Sequence, residues 1–294
     1  MTSEKMKVSV CVTTKNEREE TIKKLFDALN NQTLKPNEII IIDAKDYDNC
    51  SRSIGRNIAI KKAKNEIIAL TDVGCLPKKD WLEKLTKPFQ QKNIDVVAGF
   101  YNMTYKNNLQ KSMRKFLGVL PSKFNKQSLL LRSKNFLPSA RSMAFTKSIW
   151  KKAGGFPEKL SGTAEDTLFN VNLIKAGVKF VTAKNAIVEW GMPETISNFQ
   201  LAIFNYAEGD GQAGIWWHPT KRFQSHNIKI SLIYLRYLLA FIFLAFGYYG
   251  TLGVFTGIYM LYAFGKAGLW GLILQPVSDI AVMAGFIRGI MTSK

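Results

Sequence analysis

Val8-Ser-Val-Cys-Val-Thr-Thr-Lys-Asn-Glu17 passes from a β-rich apolar run into a polar loop. Asn16-Glu-Arg-Glu-Glu20 then opens a helix whose apolar positions Ile22, Leu25, Phe26 and Leu29 share one face. The same unit of strand, loop and helix recurs at Glu38 to Asp43, with a helix near Ser51 to Lys64, and at Ile67 to Thr71, with a helix from Lys79 to Gln91. Near-continuous apolar strands alternating with helices predict a parallel sheet covered on both faces. Strand Ile94 to Gly99 closes this half, and Asn102 to Lys134, rich in Lys, Asn and Ser, reads as a substrate-side insertion with a helical patch at Met113 to Leu120. Regular elements resume with strand Ala140 to Phe145, helices Lys147 to Ala153 and Ala164 to Ala176, and strands near Phe180 and Ile187 to Trp190.

The 294 residues, 47% of them hydrophobic, suffice for one large α/β domain or two modest ones. Of the formal net charge of +19, about +15 falls in the first 227 residues. Such a charge draws phosphates, whether on nucleic acid, lipid head groups or sugar nucleotides. The lysines are dispersed along amphipathic segments (Lys23, Lys24, Lys61, Lys62), with no nucleic-acid module beside them, so no nucleic-acid partner is expected. Cys11, Cys50 and Cys75 form no pair at metal-ligand spacing, and their odd number suits a reducing compartment.

From Ile228 the character changes. Ile228 to Tyr249 and Thr251 to Phe264 carry only Lys229 and Arg236 as charges, which predicts a membrane hairpin over about 229–268. A span needs about 20 apolar residues, so Arg236 must reach toward the interface. Leu272 to Ile290, interrupted by Pro276, Asp279 and Arg288, either lies along the surface as an amphipathic helix (about 271–291) or forms a third span. Basic residues flank the hairpin outside, whereas its turn Gly247-Tyr-Tyr-Gly-Thr251 is uncharged. The bias of positive charge toward the inner face then predicts a catalytic domain, residues 1–227, facing the cytoplasm from a membrane anchor, residues 228–294.

Three phrases carry chemistry: Val8 to Glu17, Glu66-Ile-Ile-Ala-Leu-Thr-Asp-Val-Gly74, and Gly162-Thr-Ala-Glu-Asp-Thr-Leu-Phe169. Together with Gly154-Gly-Phe-Pro-Glu158 they resemble family 2 glycosyltransferases of the GT-A fold, over about the first 215 residues. The resemblance implies a Rossmann-like mixed sheet with helices on both faces, followed here by C-terminal transmembrane or interfacial helices. It also implies an inverting transfer from a nucleotide-sugar donor to a lipid-linked or membrane-proximal glycan acceptor.

The implied site follows in chain order. Thr13, Thr14, Asn16 and Glu17 end the first strand, where open α/β sheets bind ligands; Thr13 stands where the family usually has Pro. Asp43 matches the aspartate that meets the nucleobase, though a strand-end turn residue is the plainer alternative. Arg56-Asn57 matches a pair near the diphosphate, while a solvated helix charge explains Arg56 equally well. Asp72 matches the first aspartate of an Asp-x-Asp motif that holds Mg²⁺ or Mn²⁺, but Gly74 removes the second carboxylate and puts the divalent cation in doubt. Thr163-Ala-Glu-Asp166 is a capping-box pattern; the resemblance makes Asp166 the general base and Glu165 its orienting partner. Trp190, with Trp216, Trp217 and Lys221, is expected at the donor or the interface, and His218 is a weaker metal candidate. Gly209-Asp-Gly-Gln-Ala-Gly214 matches GxGxxG without a preceding strand, and reads as a flexible loop at the site mouth. The alternatives are a nucleotidyltransferase on a similar sheet and a non-catalytic nucleotide-sugar binding protein at the membrane.

Overall fold

The computed structural model describes residues 6–91, 93–118, 130–131, 138–160, 162–214 and 226–293, with the backbone alone at 130–131 and 226–229. They divide into two compact units, one of Met1–Thr104 with Leu120–Gly191 and one of Tyr105–Val119 with Met192–Lys294. The division at Gly191 comes earlier than the sequence boundary at 227, because the helix after it joins the C-terminal helices.

In the first unit, strands β1 (Val8–Thr14), β2 (Glu38–Asp43) and β3 (Ile67–Leu70) pair in parallel, with β1 between the other two. The sheet continues with β4 (Cys75–Pro77), β5 (Val96–Thr104), β7 (Met143–Thr146) and β8 (Phe180–Gly191) in the order β2-β1-β3-β7-β5-β8-β4, and the two-residue β6 (Leu130–Leu131) pairs with β8 off this path. It is mixed rather than parallel throughout: β7 runs antiparallel to β3 and β5, and β4 antiparallel to β8. The two strands expected near Phe180 and Ile187 are one, β8, whose pairing with β5 shifts register between Ala98 and Phe100.

Alternation along β1 supplies both faces, as the period of two requires. Val8, Val10 and Val12 pack with Leu25 and Leu29 of α1 (Glu19–Asn30) and Trp81, Leu82 and Leu85 of α3 (Trp81–Thr86). Cys11 faces the other way, in a core with Ala59 and Ile60 of α2 (Arg52–Lys62), Trp150 of α5 (Lys147–Lys152) and Phe169 of α6 (Glu165–Lys175). Helix starts are set locally. Ser51 caps α2 by accepting from Ile54 N at 3.3 Å. Asn16 takes a left-handed turn at φ 62, so α1 begins at Glu19 rather than at Asn16. The third helix ends at Thr86, where Pro88 tightens Lys87–Gln90 into a 3₁₀ turn.

The second unit contains α4 (Asn108–Leu117), α7 (Ile196–Gln212), α8 (His226–Ala245), α9 (Tyr249–Ala267) and α10 (Leu269–Met291). The Gly-rich stretch expected as a loop is helix as far as Gln212. Its glycine has a packing role: a Cβ on Gly211 would come within 2.6 Å of Phe286 O, and one on Gly289 would overlap Glu208 O. Small residues let two helix backbones approach this closely. Gly289→Val is therefore expected to cost about 1–3 kcal/mol by overpacking against backbone, read as a lower melting temperature of the detergent-solubilised chain.

Among the described residues only α10 is both long and apolar enough to cross a bilayer; Ile230–Ala245 is apolar but shorter. The segment expected as a hairpin contains two helices, α8 and α9, and the strongest span signal lies on the segment after it. Large apolar side chains face outward on all three, among them Phe241, Leu244, Leu261, Leu269 and Ile280. Inside, Asp279 of α10 is fully buried and pairs with Arg236 of α8. It also accepts from Tyr259 Oη at 2.7 Å and Gln275 Nε2 at 2.8 Å.

Candidate functional site

The end of β3 and the starts of α2 and α6 bring Arg56 and two other sequence-predicted residues, Asp72 and Glu165, together around one guanidinium. Arg56, 3% exposed, donates through Nη2 to Asp72 Oδ1 at 2.6 Å and through Nη1 to Glu165 Oε1. It is thus a buried bridge between the end of β3 and the first turn of α6, not a solvated helix charge. Arg52, one turn earlier on α2, lies 4.0 Å from the same Glu165 oxygen.

Burial pushes the Glu165 carboxyl up, as does Asp166, and Arg56 and Arg52 offset this only in part, so it stays above the usual carboxylate range. For Asp72 burial also acts upward, but Arg56, Arg52 and Arg141 outweigh it and hold the carboxyl below its ordinary value. Arg56 itself is driven further up by the two acids against the cost of its burial.

Glu165 and Asp166 are not set by a capping box. The N-cap is Ala164, left-handed at φ 68, and no side chain caps the helix. A non-glycine residue in this region costs of order 1–3 kcal/mol. That strain turns Glu165 inward to Arg56 and leaves Asp166 half-buried, with Oδ2 accepting from Ala140 N at 3.4 Å.

The next residue, Arg141, closes a ring. Its guanidinium sits 4.0 Å over the Trp190 ring, which meets Tyr101 edge-on at 5.7 Å. Trp190 pairs across the sheet with Cys75, and Cys75 N donates to Asp72 O at 3.1 Å. Asp72 to Cys75 is a tight turn with Gly74 at φ 87 and open space where its side chain would point. Burial, reinforced by Asp72, pushes the Cys75 thiol up to about 12, so it remains protonated.

The other predicted residues have local roles. Glu17 accepts from Thr14 Oγ1 at 2.6 Å and from Lys15 N, folding the loop after β1 back on itself around left-handed Asn16. Thr13, in place of the expected Pro, packs on Gly55, where a Cβ would overlap its methyl. Asp43 accepts from Lys45 N at 3.0 Å, so it does serve as a strand-end turn residue. Asn57 is wholly occupied: Nδ2 donates to Phe156 O at 2.9 Å and Glu158 Oε1 at 2.8 Å, and Oδ1 accepts from Trp150 Nε1 and Phe156 N. Trp216, Trp217, His218 and Lys221 lie outside the described residues.

Asp72 offers one carboxylate, already paired with Arg56, and Gly74 offers none, so a divalent cation here would draw most of its oxygen ligands from substrate phosphates and water. Among the described residues no group of three or more His, Cys, Asp or Glu side chains could hold a metal.

An open mixed sheet with acids and arginines gathered at its strand ends defines a GT-A-like α/β protein, and comparisons with known proteins agree. Residues 2–205 match the model described as glycosyltransferase like family 2, and the chain belongs to that family. The O-antigen chain rhamnosyltransferase WbaN of Salmonella anatum is 26% identical over 195 residues, 55% of this chain and 59% of that protein; the match thus spans about three-fifths of the relative's length. Crystal structures of S. aureus TarS share the fold. One aligns at a TM-score of 0.50 with 18% identity, covering 70% of this chain and 42% of that one. TarS 1-349 aligns at 0.50 with 19% identity, covering 70% and 69%.

Proposed function

We propose that this chain is an inverting, nucleotide-sugar-dependent glycosyltransferase anchored in a membrane, its catalytic unit on the cytoplasmic side and its acceptor a lipid-linked or membrane-proximal glycan. The observation that carries the reading is the Asp72–Arg56–Glu165 bridge with Asp166 beside it, at the strand ends where open α/β sheets bind ligands. Asp166 accepts the proton of the acceptor hydroxyl. The acceptor oxygen bonds to the anomeric carbon as the bond from that carbon to the phosphate oxygen breaks, and the nucleoside diphosphate leaves with the electron pair. Arg56 fixes Glu165 and Asp72 on either side of this path. Thr14, Asn16, Glu17 and Asp43 border the nucleoside, and Trp190 offers an aromatic face to a sugar. The family match and the rhamnosyltransferase relative support sugar transfer. The outward apolar faces of α8, α9 and α10 support anchoring, which confines the enzyme to where lipid carriers reside.

The test is product release from UDP-, GDP-, dTDP- and CDP-sugars by the full chain in detergent. Nucleoside diphosphate should appear with one nucleotide class and increase when vesicles bearing polyprenyl-linked glycan are added. Release of pyrophosphate instead would make the protein a nucleotidyltransferase, and binding without any release would leave a nucleotide-sugar binding protein.

A further inference from the structure

Among the described residues α10 is the best candidate span by length and composition, but its neighbours place it differently. We propose that α10 does not cross the bilayer: it lies lengthwise in one leaflet, at the boundary of head groups and acyl chains, with an unbroken apolar stripe turned to the lipid. This rests on the membrane-anchored reading above and goes beyond it, to which surface meets the lipid and how.

The two faces of α10 differ. Leu269, Ile273, Ile280, Ile287 and Met291 are exposed, and at about 3.6 residues per turn their spacings of four, seven, seven and four draw one line along the helix. Gly271, Gly285 and Gly289 fall on the opposite line, packed so closely that a Cβ would strike Ala263 O, Phe204 O and Glu208 O respectively. The protein thus covers one side of α10 and leaves on the other an apolar stripe that needs a partner.

What covers that side is polar. Helix α7 runs beside the second half of α10 in the same direction, Phe204, Glu208 and Gln212 meeting Gly285, Gly289 and Thr292. It also carries Asn198, Asn205 and Asp210. At the other end α4, with Lys111, Arg114 and Lys115, is tied to the α9–α10 turn by Ser112 Oγ donating to Ala267 O at 3.3 Å. The two covering helices are themselves joined, Phe116 edge-on to Phe199 at 5.6 Å and Gln110 Nε2 donating to Met192 O at 3.1 Å. One layer of polar helices therefore backs both ends of α10. A spanning α10 would draw that layer into hydrocarbon, where its charges and amides lose their water. An in-plane α10 keeps the layer wet and buries only the stripe.

The α8–α9 pair fits the same orientation. Ile230 packs with Ala207 and Phe286, and Ala263 lies on Gly271, so both helices meet α10 on its covered side. Past Arg236 and before Tyr259, which converge on Asp279, the apolar residues Leu238, Phe241, Val254 and Ile258 are exposed. These stretches enter the lipid beside α10. Charge completes the match. Residues 105–119 and 192–294 hold eleven basic and four acidic side chains. Lys111 and Lys115 stand exposed near the start of the stripe, and Arg288, also exposed, pairs with Glu208 at 3.0 Å near its end. Cations bordering an apolar stripe suit anionic head groups, whereas a second copy of the chain would bring like charges together.

The experiment is spin-label depth scanning of the full chain in vesicles of phosphatidylglycerol and phosphatidylcholine. Ile273→Cys, Ile280→Cys and Ile287→Cys are labelled singly and read by relaxation with oxygen and with a water-soluble nickel chelate. All three sites are exposed, so the label leaves packing in place; Cys11, Cys50 and Cys75 are buried, and the unsubstituted chain gives their background. Flotation of the unsubstituted chain with the vesicles tests anchoring itself. The expected result is flotation, with all three labels at one shallow depth beneath the phosphates. Seven residues of helix rise about 10 Å, so a span would separate Ile280 from the other two labels by about that depth. Such a separation, or a steady gradient along the helix, overturns the proposal and leaves anchoring standing. Labels on a floating chain that lack lipid contact and broaden one another between copies also overturn it, and assign the stripe to a second copy. A chain that does not float overturns both readings.

Discussion

Asp166→Asn lowers sugar transfer by about two to four powers of ten, the usual contribution of a positioned general base, while nucleotide affinity stays at the wild-type level. The separation is expected because the base acts on the acceptor side of the anomeric carbon, and the substitution preserves shape. The amide oxygen can still accept from Ala140 N, as the carboxylate does at 3.4 Å, so the start of α6 keeps its place. Measuring kcat and nucleoside diphosphate affinity on one preparation checks both halves. Full turnover by the variant would remove Asp166 from the chemistry. Lost turnover together with lost affinity would make it a binding residue instead.

Arg56→Met has the largest expected effect on stability. The side chain is buried and holds two acids, Glu165 buried with it and Asp72 a quarter exposed. Removing one partner from a buried charge pair costs about 3–5 kcal/mol, because the remaining charge is left without compensation. The pH dependence should change with it. In the wild type the lowered Asp72 contributes stability that is present above the ordinary carboxylate pKa, about 4, and is lost as pH falls through its lower folded value. Glu165, raised, works in the opposite sense: its contribution is present below the ordinary value and is lost as pH rises through its folded one. Without Arg56 both carboxyls are pushed upward, so the deficit of the variant against wild type should be smaller near pH 4 than near neutrality. Thermal melts of both proteins across that range decide it. Adding Glu165→Gln to Arg56→Met should recover part of the loss, since it removes one of the stranded charges.

Much of this site could be read along the chain because each acid ends or begins an element whose hydrophobic pattern is strong. Ile67 to Thr71 could be little but a buried strand, and that alone put Asp72 at a carboxyl end. What could not be read depends on backbone conformation or on partners distant in sequence. Thr163 looked like a cap because its spacing to Asp166 suits one, yet Ala164 turns left-handed and the acids point elsewhere. Arg141 gave no signal, since its position follows from β7 running antiparallel between β3 and β5 and from a Trp on β8. Gly209 to Gly214 read as a loop because glycine disfavours an isolated helix. The compensation for Gly211 lies at Phe286 and Gly289, far along the chain.

The buried pair of Arg236 and Asp279 bears on biogenesis. Each charge alone at the centre of a membrane helix carries an insertion penalty of about 2.5–3.5 kcal/mol. Helix α8 would meet that penalty as it left the ribosome, before α10 existed to cancel it. On the membrane-anchored reading proposed above, the three C-terminal helices gain most by entering the lipid as a preassembled bundle rather than one after another, so a chain truncated before Asp279 should partition poorly into membranes.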